Sequence, residues 1–259
     1  MTATLQISRD GAVARVFLNR PDVRNAFNDS VIAELTAAFT AFAADDSLRA
    51  VVLGGHGKAF CAGADLSWMR AMADYTWEQN RADAQGLADM LFAIWSCPVP
   101  VVGRVHGDCY AGGVGLAAVC DLLVAAEGVN FCLSEARLGL LPATIGPYVV
   151  KALGEQASRR YFTTAERFDA ARAHALGFVH EVVPADALDA KVDELVAALV
   201  ANGPAAVRAC KTLVQDVAGR PIDAALRGET ARRIADIRAS AEGKEGVQAF
   251  LNKRDPSWR

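Results

Sequence analysis

One stretch, Gly103 to Leu116 (GRVHGDCYAGGVGL), narrows the folds open to this chain more than any other. It begins as the tail of an apolar run, Val99-Pro-Val-Val102, and crosses a turn at His106-Gly107-Asp108. It ends in Gly112-Gly113-Val114-Gly115, ahead of Leu116 to Cys120. A buried strand, a turn and a glycine-opened helix fit that order. Glycines at a helix start let another group come close to backbone N–H groups that have no partner inside the helix. The helix dipole adds positive potential there. Such a place can hold an anion, or an oxygen that becomes one during a reaction. A helix packed tightly on a sheet would use the same glycines.

A second stretch has the same form. Lys58-Ala-Phe-Cys61-Ala62-Gly63-Ala64-Asp65-Leu66 follows an expected strand, Ala50 to Gly54, and ends in small residues before a helical segment. Two such loops, each at the end of an apolar strand, could converge their N–H groups on one oxygen. Donor pairs of that kind stabilise an enolate or a tetrahedral oxyanion.

The rest of the chain reads as an α/β pattern. Asp10-Gly11 between Thr4–Ser8 and Val13–Leu18 signals a hairpin. Asp29 or Ser30 is the expected cap of a helix whose Val31, Leu35, Ala38, Phe39 and Phe42 share one face. That helix between two strands makes a βαβ unit with parallel pairing. Helices are expected over Leu66–Met72 and Trp77–Trp95, with large apolar residues that pack a core or line a groove for an acyl chain. Strands are expected over Val99–Val105, Leu122–Ala125 and Val129–Leu133. Beyond Gly154 the pattern is almost all helix, and Pro204 and Pro221 are expected in first turns. The division is an α/β core over 1–183 and a helical region over 184–259, with subunit contacts as the expected use of the latter.

Composition closes several alternatives. Of 259 residues, 22% are charged and the formal net charge is −3, which argues against a nucleic-acid partner. No charged segment followed by an apolar run opens the sequence, so a secretory signal is not expected. Asp121 breaks the longest apolar run well short of the roughly 18 residues of a membrane span. A cytoplasmic location follows as the expectation. The six cysteines form no C-x-x-C pair and read as buried free thiols, with Cys61 or Cys109 as a remote candidate nucleophile. The four histidines show no zinc-ligand spacing, so no metal is expected.

Glu135 follows the last expected strand in an apolar context, Ser134-Glu-Ala-Arg-Leu-Gly-Leu140. Burial would raise its pKa and let it carry a proton near neutrality. A surface carboxylate, or a partner for Arg137, is the alternative for the same residue.

Taken together these stretches resemble the enoyl-CoA hydratase/isomerase (crotonase) family. The resemblance spans essentially the whole chain. It rests on Asn19-Arg20-Pro21 with Arg24-Asn25-Ala26, on Ala59 to Leu66, on Gly107 to Leu116 with Cys120-Asp121, and on Ser134-Glu135 to Pro142. The family implies a spiral core of repeated ββα units with a C-terminal helical trimerisation region, as a trimer or a dimer of trimers. It implies an acyl-CoA substrate, with coenzyme A as part of that substrate and no other cofactor. By position, the oxyanion donors fall on the backbone N–H of Ala62 and of Gly112, and the acid–base on Glu135. Arg24 and Lys58 match cations that meet the CoA phosphates. Ala26 and the loop from Ala62 through Ala64 to Asp65 match walls of the adenine site, and Phe250 and Lys253 sit where a neighbouring subunit touches CoA.

Family hydratases carry a second glutamate, and its position here is Gly115. Glu135 alone, help from His106, Asp108 or Tyr110, or a proton shuttle as in the isomerases would each account for that. Gly112 to Leu116, Ser134 to Pro142 and Pro147-Tyr-Val-Val150 look like the bacterial 3-methylglutaconyl-CoA hydratases of leucine breakdown. That resemblance implies hydration, and a cation for a distal carboxylate, for which Arg70, Arg104 and Arg137 are candidates.

Overall fold

Asp10-Gly11 turns the chain back on itself. In the computed structural model, which describes residues 3–259, β1 (Leu5–Asp10) and β2 (Val13–Leu18) pair antiparallel around it. Ala14, Val16 and Leu18 of β2 face the core, as its period of two requires. α1 (Asp29–Ala43) follows and buries Val31, Ile32, Leu35 and Phe39. Its cap is Asn28, whose side chain accepts the Val31 N–H, and not Asp29 or Ser30. Phe27 bridges to Ala64 and the backbone stays extended through Asn28, so the helix begins at Asp29, earlier than the expected caps would place it. β3 (Ala50–Gly55) then pairs parallel with β2, completing the expected βαβ unit.

From here the chain repeats one figure: a long strand in a large sheet, a three-residue strand in a small one, then helix. β3 is followed by β4 (Ala59–Cys61), α2 (Leu66–Ala73) and α3 (Trp77–Trp95). Next come β5 (Val101–Val105), β6 (Asp108–Tyr110) and α4 (Gly112–Ala118). β7 (Leu122–Ala126) and β8 (Asn130–Cys132) lead through a 3-10 turn, Glu135–Leu138, to α5 (Gly146–Leu153) and α6 (Glu155–Thr164). The pattern beyond Gly154 is less helical than the sequence suggests. It contains β9 (Arg167–Asp169), α7 (Ala170–Ala175) and β10 (Glu181–Val183). The large sheet has the order β1-β2-β3-β5-β7-β10, and the small one β4-β6-β8-β9. This is the (ββα)n spiral α/β core that the crotonase resemblance implies.

Three-residue strands are too short to display periodicity, which is why β4, β6 and β9 escape a reading by pattern. Pairing identifies them instead: Cys61 lies opposite Cys109, Cys109 opposite Phe131, and Phe131 opposite Phe168.

The C-terminal helices differ in how they attach. α8 (Leu188–Ala201) packs across β3, β5 and β7 and buries Leu188, Val192 and Val196. α9 (Pro204–Val217) reaches the core through Lys211, whose Nζ lies 2.7 Å from Asp121 Oδ2. α10 (Ala224–Ala239) and α11 (Ala241–Leu251) pack on each other. Pro204 opens α9 as expected, whereas Pro221 lies ahead of α10, which Asp223 caps through the Leu226 N–H. Ile222, Ile234, Val247, Phe250 and Leu251 are exposed on this region of the single chain. No helix of the described residues is long and apolar enough to cross a membrane.

Candidate active site

β4, β6 and β8 run parallel and adjacent in the small sheet. Their C-terminal ends therefore release Ala62, Ala111-Gly112 and Leu133-Ser134-Glu135 along one edge, from strands about 4.8 Å apart. Ligands of α/β folds bind at such carboxyl edges. The ladder extends to the threshold of α4, where the Ala111 N–H donates to the Cys132 carbonyl at 2.8 Å. Ala111 then takes φ +47°, ψ −120°, a conformation that favours glycine, and this turns the chain abruptly into the helix.

That turn aims the Gly112 N–H, the first of α4, out of the helix, where no acceptor among the described residues meets it. The two small-residue loops do converge. A Cβ on Gly63 would lie 2.9 Å from the Ala111 Cβ and 3.6 Å from the Gly112 nitrogen, and one on Gly113 only 2.5 Å from the Cys61 carbonyl oxygen. Only bare backbone permits this approach.

The second amide is not the one expected. The Ala62 N–H donates to the Arg24 carbonyl at 3.0 Å, so it is engaged inside the chain. Ala64 differs because it forms a parallel bridge with Phe27. In that bridge the Phe27 N–H meets the Gly63 carbonyl at 2.7 Å, and the Asp65 N–H meets the Phe27 carbonyl at 2.8 Å. The amide of Ala64 itself then points to the opposite side, and no acceptor among the described residues meets it. The free pair is Ala64 and Gly112.

Glu135 opens the 3-10 turn after β8. Its Oε2 is buried and has no hydrogen-bond partner. Burial pushes its carboxyl above the ordinary value of 4.5, opposed only by its own backbone N–H. The guanidinium of Arg137, its sequence neighbour, turns away and donates to the Ala165 carbonyl at 2.5 Å. An unpaired buried carboxyl oxygen is costly to a fold and is the form a proton-transfer group takes before substrate arrives.

Arg24 and Lys58 are exposed, and together with Ala59, Ala62, Asp108 and Tyr110 they line a cavity of about 240 Å³. Arg24 is held in place by Asn25, which is buried with every side-chain function satisfied. Its Oδ1 accepts the Arg20 N–H, and its amide nitrogen donates to the carbonyls of His56 and Ala59 at 2.8 Å. Arg24 and Asn25 both have positive φ, near +55°, and this network is what fixes them there. Ala26 is buried and Ala64 half-buried beside this turn. The Asp65 carboxylate is committed to the α2 cap at Ser67 and to Arg20 at 2.7 Å, so any contact with a ligand falls to its backbone. Phe250 is 82% exposed and Lys253 exposed, at the end of α11.

Of the candidate substitutes for a second glutamate, Asp108 and Tyr110 are bonded to each other. Asp108 accepts the Asn130 N–H and the Tyr110 hydroxyl, and burial together with that bond pushes the Tyr110 phenol up to about 12. His106 Nε2 meets the Gly57 carbonyl at 3.1 Å while its Nδ1 is buried without a partner, and burial lowers its pKa. Of the three arginines, Arg104 pairs with Asp189 and Arg137 with the Ala165 carbonyl, which leaves Arg70 exposed on α2. Cys61 is fully buried and its thiol is pushed up to about 12, which removes it as a nucleophile. No group of three or more His, Cys, Asp or Glu among the described residues is placed to hold a metal ion.

One feature of the site is absent from any sequence pattern. The space beside Gly115 is filled by Ile145, whose Cγ2 would lie 2.1 Å from a Cβ built on that glycine. Nothing in the spacing of the two residues announces the contact.

A spiral of paired strands with two free amides and an unpaired carboxyl at one edge defines a class of protein that stabilises an oxyanion while moving a proton. Comparison with known proteins agrees. Residues 8–259 match the enoyl-CoA hydratase/isomerase family. A crystal structure of an enoyl-CoA hydratase from Shewanella pealeana superposes with a TM-score of 0.95 at 40% identity, covering 98% of this chain and 96% of that one. Pseudomonas aeruginosa AtuE gives 0.94 at 38%, covering 98% and 99%. The 2,3-dehydroadipyl-CoA hydratase of Escherichia coli is 30% identical over 257 residues, 98% of either chain. The chain belongs to the enoyl-CoA hydratase/isomerase family.

Proposed function

We propose that this protein hydrates an α,β-unsaturated acyl-CoA thioester, and that the substrate is 3-methylglutaconyl-CoA, giving 3-hydroxy-3-methylglutaryl-CoA. The observation that carries the reading is the buried, partnerless Oε2 of Glu135 on the same strand edge as the unpartnered N–H of Gly112. The thioester oxygen accepts hydrogen bonds from Gly112 and Ala64, which draws electron density from the β-carbon. Water adds there as Glu135 takes its proton, and negative charge builds on the thioester oxygen as an enolate. Glu135 then returns a proton to the α-carbon. The preference for a glutaconyl group rests on the motif resemblance. It is supported by a relative named for dehydroadipyl-CoA, an acyl group that also ends in a second carboxylate. Arg24 and Lys58 serve the CoA phosphates, and Phe250 and Lys253 serve the CoA of a neighbouring subunit in a trimer or a dimer of trimers.

Glu135→Gln tests the assignment. CoA binding and folding persist while turnover falls by about 10²–10⁴. Near-normal turnover would remove Glu135 from the chemistry. A second reading, double-bond isomerisation by one glutamate, is favoured by the filling of the Gly115 position with Ile145. Labelled water separates the two, because an isomerase leaves no solvent oxygen in its product.

A further inference from the structure

Gly115 lies three residues beyond Gly112 in α4, one turn below the free amide. A Cβ there would meet Ile145 Cγ2 at 2.1 Å and Ile145 Cβ at 2.5 Å. The obstruction is not the tip of a flexible side chain. Ile145 is β-branched, 2% exposed, and stands at the N-terminus of α5 with Pro147 in the first turn behind it. Glu135 and Ile145 are the two ends of one excursion between β8 and α5. Glu135 Oε2 has no hydrogen-bond partner, so no second carboxyl is bonded to it.

We infer that Ile145 is the specificity-determining residue of this site: by filling the space over Gly115 it leaves a single carboxyl for acid–base work and fits the site to enoyl thioesters bearing two carbon substituents on the β-carbon. The inference rests on the hydration reading above. The chemistry explains why the two features go together. Hydration of such a substrate forms a tertiary alcohol. In the reverse direction Glu135 takes the α-proton, the carbon–carbon double bond forms, the β-carbon–oxygen bond breaks, and the same proton leaves with the hydroxyl as water. As the carbon–oxygen bond breaks, the enolate supplies the electrons of the new double bond, and a double bond with two alkyl groups on the β-carbon is more stable than one with a single group, so departure needs less help from a second acid. The apolar wall in turn receives the extra alkyl branch where a carboxylate and its bound water would otherwise stand.

Crotonyl-CoA, with one β-substituent, and 3-methylcrotonyl-CoA, with two, are the probes, with kcat/KM and incorporation of solvent oxygen as readouts. The wild type is expected to favour the branched probe. Ile145→Ala, which removes Cγ2 and the rest of the side chain beyond Cβ, should lower that preference about tenfold or more. Gly115→Glu alone should be inactive on both probes, because its Cβ has no room. Gly115→Glu combined with Ile145→Gly, which removes both obstructing atoms, should regain crotonyl-CoA hydration by about tenfold or more over Gly115→Glu, the sign of direct coupling. An unchanged preference in an active Ile145→Ala protein would overturn the inference. So would a folded double variant no better than Gly115→Glu. Absence of solvent oxygen from both wild-type products would instead bring down the hydration reading, and this inference with it.

Discussion

Arg20 and Asp65 are 45 positions apart in the chain, yet their side chains meet at 2.7 Å and close the loop around the free amide of Ala64. Asp65 also caps α2, so one carboxylate ties the Arg24–Phe27 turn to the helix that starts beyond the oxyanion loop. Burial works against its ionisation, but the Ser67 N–H and the Arg20 guanidinium outweigh it and hold the carboxyl below its ordinary 3.8. A lowered folded pKa contributes stability that is present above the unfolded value and lost as pH falls through the folded one. Asp65→Ala should cost about 2–3 kcal/mol at pH 7, from the lost cap and the unpaired Arg20. In urea titrations the gap to wild type should narrow as pH drops below 3.8. A gap independent of pH would mean that the pair contributes nothing.

Glu135 carries the opposite sign. Its folded pKa is raised by burial, so the folded state binds the proton more tightly than the unfolded chain does. Ionisation at neutral pH therefore destabilises the fold. Glu135→Gln should abolish most turnover and at the same time raise the melting temperature at pH 7–8. The gain should vanish below the unfolded value of 4.5, where both proteins are neutral at this position. Turnover in the wild type should fall as pH drops through a value above 4.5, since the base must be ionised. A melting temperature lowered by the substitution at pH 8 would contradict the burial of that charge.

Ala111 stores strain where the Gly112 amide is presented. At φ +47° and ψ −120° an alanine costs about 1–3 kcal/mol, of which glycine would return the larger part after its own entropic cost. Ala111→Gly should be more stable by about 1 kcal/mol in urea titration, and Ala111→Val less stable. The reverse order would show that the turn is relaxed in solution.

The thiols offer a check on burial. Cys210 alone is exposed, while Cys61, Cys97, Cys109 and Cys132 are buried and Cys120 half-buried with its pKa raised by desolvation. Iodoacetamide on the native protein should label Cys210, and all six only after unfolding. Rapid labelling of Cys61 would restore it as a candidate nucleophile.

The sequence made some of this visible and hid the rest for physical reasons. Long apolar runs gave away β2, β3, β5 and β7, and helical spacing gave away α1, α3 and α8, because each is long enough to show its period. Glu135 could be singled out as a carboxyl at a strand end. What made it a candidate base, the burial of Oε2 without a partner, depends on packing. The small sheet that aligns the site was hidden in three-residue strands. Whether Ala62 or Ala64 offers a free amide is decided by Phe27, 37 positions away from Ala64 and unpaired in any local pattern. Gly115 was legible as a missing carboxylate, while its replacement by the side chain of Ile145 was not.

The attachment of α9 gives the last test. Lys211 is 7% exposed at its side chain and donates both to Asp121 and to the Val99 carbonyl, while Asp121 also accepts the Val101 N–H at 2.7 Å. Burial raises the Asp121 pKa above 3.8, and Lys211 is the first of the groups that oppose it. Lys211→Met would leave that carboxylate buried without its cation, at a cost of about 3 kcal/mol at neutral pH. The sign follows from the raised pKa: the penalty grows as pH rises above 3.8, so the variant should resemble wild type near pH 4 and fall furthest behind at pH 8. Hydrogen exchange should show the loss first in α9. Asp121→Asn in the same chain removes the stranded charge and keeps an acceptor for the Val101 N–H, so the double variant should recover most of the stability. If Lys211→Met is as stable as wild type at pH 8, α9 is held to the core by its other contacts, among them Arg208 to the Asp45 and Leu48 carbonyls and Gln215 to the Trp95 carbonyl.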